Sequence, residues 1–368
     1  PDAEAVGERR EQVERVARCG VAIRVHAGDV LVREGDTDVP FFVVRTGAIE
    51  VIRPSPGRDV RVAVDGPGQF TGEFSMILGR RALMRIRVSE AGEVVELTRD
   101  QLHALIQTDA EIGEIVMRAL VARRAELVAQ GLGDAVLIGV GGAGGTFRVS
   151  EFLRRNGHPF ECLDVERDAG ARALLERHAV TEGDLPVLIC GGDQVLRRPT
   201  NHEIATQLGF NQGIDMGRVR DVVIVGAGPS GLAAAVYAAS EGLDTLVVEL
   251  DAPGGQAASS SRIENYLGFP VGISGRDLTG RAYAQAQKFG ASVLVATSAT
   301  ALAANESGVE VTLANGRHVA GRAVIIATGA RYRRPSIPDL GRFDGAGIYY
   351  SATSVEASQL ARSEDVVV

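Results

Sequence analysis

The sequence predicts a multi-domain protein, a β-roll followed by two α/β modules, and three observations predict it. From Val21 to Thr98 the chain reads as short apolar strands broken by turn residues; a middle stretch alternates strands with helices; and a late strand runs through a glycine-rich bend into a helix. At 368 residues the chain is too long for a single hydrophobic core, which agrees with several modules.

The first module is expected over residues 1–130. Its apolar runs Phe41-Phe42-Val43-Val44 and Ala48-Ile49-Glu50-Val51-Ile52 are set apart by Gly28-Asp29, Gly35-Asp36, Gly47 and Gly66-Pro67-Gly68. Strands of that length between such turn residues suit a small barrel or roll. Arg99 to about Gln130 then has helical spacing, with Leu102, Leu105, Ile106, Ile112, Ile115, Val116, Leu120 and Leu127 as its apolar stripe.

The second module is expected over 134–212. Strand Ala135–Val140 leads to a helix from about Val149 to Asn156 that Gly157 terminates, then to strand Phe160–Val165, a helix near Ala171–His178 and strand Val187–Cys190. That order reads as a βαβαβ unit. Asp184-Leu185-Pro186 stands where a cis peptide bond is admissible.

The third module, over 218–368, opens with strand Val222–Val225, a bend, helix Ser230–Glu241 stopped by Gly242, and strand Thr245–Glu249. Within Gly226-Ala227-Gly228-Pro229-Ser230-Gly231 the glycines serve different ends. Gly226 makes the tight turn, Gly228 clears space for a pyrophosphate, and Gly231 lets helix and strand pack closely. Glu249, at the end of the next strand, is placed to accept hydrogen bonds from an adenosine ribose.

Composition restricts the function classes. An apolar fraction of 45% with 23% charged residues is that of a soluble, folded protein. The net charge of -8 argues against general binding to nucleic acid or anionic lipid. No apolar run approaches the roughly 20 residues of a membrane span, and a cytoplasmic protein without membrane partners is expected. Cys19, Cys162 and Cys190 lie far apart, with neither C-x-x-C nor C-x-x-H spacing, so no metal site is expected.

Beyond Glu249, the strings Pro253-Gly254-Gly255-Gln256 and Ile263-Glu264-Asn265-Tyr266, with Ala327-Thr328-Gly329 after strand Ala323–Ile326, resemble the FAD domain of bacterial thioredoxin reductases. The resemblance implies an FAD-binding Rossmann-like fold. It places Gly255, Gln256 and Asn265 near the flavin ring, and Ala327, Thr328 and Gly329 near the ADP half, beside Gly226, Gly228, Pro229, Ser230, Gly231 and Glu249. The departure from that family is informative. Where it carries Cys-Ala-Thr-Cys and an acidic residue, this chain reads Ser351-Ala352-Thr353-Ser354-Val355. Serine cannot cycle through a disulfide. The chain stops at what resembles the first strand of the family's NADPH domain, so NAD(P)H is expected only if a longer parent supplies that domain.

The middle module resembles a thioredoxin or glutaredoxin fold, but Gly141-Gly142-Ala143-Gly144-Gly145-Thr146 stands where the first-helix C-x-x-C would be. Cys162 and Cys190 are expected on strands flanking the central one, too far apart to bond. The N-terminal module resembles the cyclic-nucleotide-binding fold of catabolite-activator-like regulators, on Gly47, Gly72-Glu73 and Arg80-Arg81-Ala82. The resemblance implies a ribose held at Gly72 and Glu73 and a cyclic phosphate held by arginine, with Ala82 in the place of the usual hydroxyl residue. No helix-turn-helix follows, which disfavours a transcription factor. The resulting expectation is an FAD-dependent oxidoreductase without the redox dithiol, a homodimer, passing electrons from NAD(P)H to a non-disulfide protein or small-molecule acceptor, with a cyclic nucleotide as regulatory partner. The alternative is a non-catalytic FAD- or nucleotide-binding sensor.

Overall fold

The computed structural model describes residues 3–37, 39–53, 59–72, 81–130, 135–191, 194–305, 308–330, 333, 335–343 and 348. The chain forms two compact units. One comprises Pro1–Leu132 with the short pieces Leu208–Gly213 and Gln287–Phe289; the other takes Gly133–Gln207, Ile214–Ala286 and the remainder. The second and third predicted modules thus share one unit.

The first unit begins with a helix beyond the expected elements, α1 (Ala3–Ala17). Val13, Val16 and Ala17 recur at helical spacing and pack on the core, a weak sequence signal for it. Strands β1 (Val21–Val25), β2 (Val30–Val32), β3 (Phe41–Arg53), β4 (Val60–Asp65), β5 (Phe70–Thr71) and β6 (Arg85–Leu97) form a sheet ordered β1-β6-β3-β4, with β2 on β6 and β5 on β3. The two apolar runs expected as separate strands are one strand, β3. Register shifts against β6 around Thr46 absorb the irregularity at Gly47.

β3 builds two cores at once, because successive side chains leave a strand on opposite faces. Phe41 and Val43 join Val95, Leu97 and the helical residues Leu102, Leu105, Ile112 and Leu120. Phe42 and Val44 join Val25, Val32, Ile49, Ile86 and Val94 inside the roll. The helical stretch expected over 99–130 is two helices, α2 (Arg99–Thr108) and α3 (Ala110–Gln130). Thr98 and Gln101 make a capping box at the start of α2. Asp109 leaves the helical conformation, and its carboxylate accepts the Ile112 amide at 3.1 Å, which starts α3 anew.

In the second unit, β7 (Ala135–Gly139), α4 (Gly144–Arg155), β8 (Phe160–Asp164), α5 (Ala169–Arg177) and β9 (Val187–Cys190) follow the predicted order. Three differences matter. α4 starts about a turn earlier than expected, taking in Gly144, Gly145 and Thr146; β9 runs antiparallel to β7; and β10 (Gln194–Arg197) and α6 (Asn201–Gln207) add to the expected elements. The sheet order is β10-β9-β7-β8, and the Leu185–Pro186 bond is cis.

The remaining elements are β11 (Arg220–Val225), α7 (Pro229–Ser240), β12 (Thr245–Val248), α8 (Gly275–Lys288), β13 (Ser292–Leu294), β14 (Ala299–Asn305), β15 (Gly308–Leu313) and β16 (His318–Ile326). They give a sheet ordered β13-β12-β11-β16-β15-β14, in which β13, β12, β11 and β16 are parallel and β14–β15–β16 an antiparallel meander. The apolar runs in β11 and β12 are buried on both faces, as a central parallel strand requires. No helix among the described residues is long and apolar enough to cross a membrane.

Because Phe41 and Phe42 serve different cores, Phe41→Ala and Phe42→Ala are each expected to cost about 3–5 kcal/mol. Hydrogen exchange should separate them, with protection falling first in α2 and α3 for Phe41→Ala and first in the roll strands for Phe42→Ala.

Candidate functional site: a glycine turn at the head of the parallel sheet

β11 ends at Val225, and Gly226, at φ 107°, turns the chain while its amide bonds the Val248 carbonyl at 2.8 Å. A β-carbon at Gly226 would lie 2.3 Å from the Ala327 carbonyl oxygen, and one at Gly231 would lie 1.8 Å from the Gly226 oxygen. Neither position admits a side chain. Gly228 differs: a β-carbon there would find its nearest neighbour, Gly255 Cα, at 3.9 Å, so the glycine borders open space. Gly228 is also the N-cap of α7 and Pro229 its first residue, with no side-chain cap on the helix start. The leading amides, those of Ser230 and Gly231 among them, lack the usual capping oxygen and lie at the positive end of the helix dipole, an arrangement that suits an anion.

Glu249 follows β12 and is buried. Its carboxylate accepts the Ala227 amide at 2.6 Å and the Asp251 amide at 2.9 Å, so it ties the glycine turn to the loop after β12. Two of its four acceptor positions are thereby used, which leaves capacity for ligand hydroxyls. Burial pushes the Glu249 carboxyl above the usual range, and the two amide hydrogen bonds oppose that rise only in part.

Three segments converge here. The Gly254 amide bonds the Ala227 carbonyl at 2.7 Å, and Gly255 packs against Gly228. Gln256 donates to the Ala330 carbonyl at 2.6 Å, and the Ala327 amide bonds the Val225 carbonyl at 2.8 Å, which brings Thr328 and Gly329 beside the turn. Asn265 is exposed, in the loop closed by the Ile263–Ile273 bridge, and is not bonded to the other predicted residues. Ser351 and Ser354 lie outside the described residues.

In the roll, Gly72, at φ 96°, sits against the Pro40 carbonyl, and Gly47 against those of Glu90 and Ala91. Arg81 is half-buried; Ala82 is buried in the inner core, its amide bonded to the Asp36 carbonyl at 2.8 Å. Glu73 and Arg80 lie outside the described residues. Sequence reasoning passed over a cavity of about 570 Å³ bordered by Arg10, Glu14, Arg45, Thr46 and Glu93. Arg45 there is already paired with Glu14 at 2.7 Å and Glu93 at 2.5 Å, a long-range triad that leaves no local signature.

Cys162 on β8 and Cys190 on β9 flank β7, opposite Leu137 and Ala135 respectively. Two strand spacings, about 10 Å, separate them, beyond the reach of a disulfide. Cys162 is exposed, yet desolvation by its neighbours raises its thiol above the ordinary value, with Asp164 and Asp168 adding to the rise against Arg154. That is the opposite of an activated thiolate.

Residues 220–368 match the pyridine nucleotide-disulphide oxidoreductase family, and residues 22–109 match the cyclic nucleotide-binding domain. The chain carries both domains. Among curated relatives it is 38% identical over 135 residues to the thioredoxin reductase of Bacillus subtilis, covering 37% of this chain and 42% of the relative. Against the thioredoxin reductase of Treponema pallidum the identity is 41% over 133 residues, covering 36% and 43%. The chain thus spans under half the length of these relatives. Among solved structures, the thioredoxin reductase of Gloeobacter violaceus is 35% identical, with 36% of this chain and 41% of that one covered and a TM-score of 0.30. The catabolite activator protein of Thermus thermophilus is 22% identical, with 40% and 62% covered and a TM-score of 0.30. The thioredoxin reductase-like resemblance and the N-terminal cyclic nucleotide-binding domain read from the motifs therefore hold.

An acid whose folded pKa lies above its unfolded one adds stability that is complete below the ordinary carboxylate range and is lost as pH rises through the raised value. Glu249→Gln, uncharged throughout, is expected to flatten this part of the pH–stability profile, read as urea midpoints from the ordinary carboxylate range upward.

Proposed function

We propose that the 218–368 region holds FAD, its diphosphate on the amides at the start of α7 and its adenosine ribose on Glu249, and that the protein is a flavin-dependent oxidoreductase. The observation that carries this reading is the contrast within the turn: Gly226 and Gly231 are filled by neighbouring carbonyls, while Gly228 alone borders open space. Open space at Gly228, at the start of α7, lets a diphosphate approach the backbone amides closely. Bound flavin would supply hydride and single-electron transfer. The protein's own part is to bind the diphosphate through backbone amides, to position the ribose, and, through Gln256 on the Ala330 carbonyl, to hold the loop beside the ring.

The electron acceptor in this reading is not a protein disulfide. Serine occupies both positions where a dithiol would relay electrons, and the middle module offers glycines where a second dithiol would stand. A ferredoxin-type or quinone-like acceptor suits a flavin without that relay. The middle module's strand order and its antiparallel β9–β10 pair support a thioredoxin-like fold, acting in docking rather than in disulfide exchange. The N-terminal domain is the regulatory input, taking a cyclic nucleotide as a two-state effector.

Purified with excess FAD, the protein is expected to retain a flavin absorbance that Gly228→Val abolishes with its melting temperature little changed. Gly231→Ala should instead lower the melting temperature. In a protein that includes the nicotinamide-binding part, NADPH should bleach the flavin without turnover of thioredoxin. Thioredoxin turnover would overturn the acceptor assignment, and failure to retain FAD would overturn the whole reading.

A further inference from the structure

The middle module does more than adjoin the glycine-turn domain: its side chains grip the loop that carries Glu249. Arg155, the last residue of α4, is largely buried, at 18% side-chain exposure. Its guanidinium donates to the Asp251 carboxylate at 3.2 Å and to the carbonyl of the fully buried Ala252. Asn201, at the start of α6, donates its amide to the other oxygen of the same carboxylate. Arg148 of α4 in turn donates to the Asn201 side-chain oxygen and to the Pro199 carbonyl, which fixes the direction of the Asn201 amide. His202 Nδ1 lies 3.3 Å from the Ala296 carbonyl. Ala296, held at φ 52°, bonds the Asp251 carbonyl through its own amide at 3.1 Å.

These contacts run without a gap into the glycine turn. Asp251, held by Arg155 and Asn201, gives its amide to one oxygen of Glu249, and the other oxygen takes the Ala227 amide between the two turn glycines. Planar, forked donors suit this work, because a guanidinium satisfies a carboxylate and a carbonyl together and defines their relative placement. Glu249 is therefore positioned from two sides, by its own sheet and by a module that lies before that sheet in the chain.

We propose that residues 135–207 act as a clamp on the adenosine-ribose end of the dinucleotide site, with Arg155 and Asn201 as positioning residues for Glu249. This inference rests on the flavin reading above. The clamp makes the middle module an integral part of the cofactor site rather than a swinging carrier. It also gives any event that moves α4 or α6 a direct hold on cofactor affinity.

The test compares the full chain with Arg155→Ala and Asn201→Ala for binding of FAD and of ADP, by flavin fluorescence and calorimetry, with melting temperature recorded without ligand. ADP carries the adenosine and diphosphate but no flavin, so a clamp at the ribose should weaken both ligands by the same factor. That factor is expected to be roughly tenfold for Arg155→Ala and a fewfold for Asn201→Ala, whose single donor is lost. Arg155→Lys should recover only part of the loss, since an ammonium cannot span both acceptors. A contact that merely joins two modules would lower the melting temperature and leave ADP affinity unchanged; unchanged ADP and FAD affinity in a folded variant overturns the clamp. Should Arg155→Ala not fold, Asn201→Ala decides by the same comparison. A wild-type chain that binds neither FAD nor ADP overturns the flavin reading itself, an outcome distinct from equal binding by wild type and variant.

Discussion

Two carbonyl oxygens, those of Ala327 and Gly226, occupy the places where β-carbons would stand at the bend between β11 and α7. That interpenetration of backbone with backbone is the constraint on which the site depends. It brings β16 against β11 in parallel register, sets α7 directly over the strand ends, and forces the first amides of the helix to emerge where Gly228 leaves room. Glu249 then closes the arrangement from the neighbouring strand. It accepts one amide from the bend and one from its own loop, so the geometry of the bend and that of the loop after β12 are not independent.

The cost of this arrangement falls on the acid. A carboxylate removed from water loses hydration that two amide bonds restore only in part. The penalty is local, and the surrounding sheet is close-packed, with Val223, Ile224, Leu246 and Val247 fully buried. Arg155 and Asn201 bear on the same constraint, since both donate to Asp251, whose amide holds one oxygen of Glu249.

Legibility in the sequence followed the range of the interactions. The bend was readable because its glycines, its proline and its acid all act within one βαβ unit, where spacing along the chain is spacing in space. The strand Val187–Cys190 was readable from its continuous apolar run, but its direction was not: an antiparallel β9 depends on pairing with β7, more than forty residues earlier. The Asp109 break was hidden because the apolar stripe continues through it from Ile106 to Ile112; the extended backbone at Asp109 separates the two helices, and its side-chain bond to the Ile112 amide caps the second. Arg155 and Asp251, 96 residues apart, leave no local mark at all.

The alternation along β3 has a mechanical meaning for the roll. Phe41 and Phe42 are consecutive, one lodged among the helices and the other within the roll. A rigid pleat cannot shift one of them and leave its neighbour in place. The inner face of the roll at Phe42 and the face packed on α2 and α3 at Phe41 are thus joined by a single peptide unit.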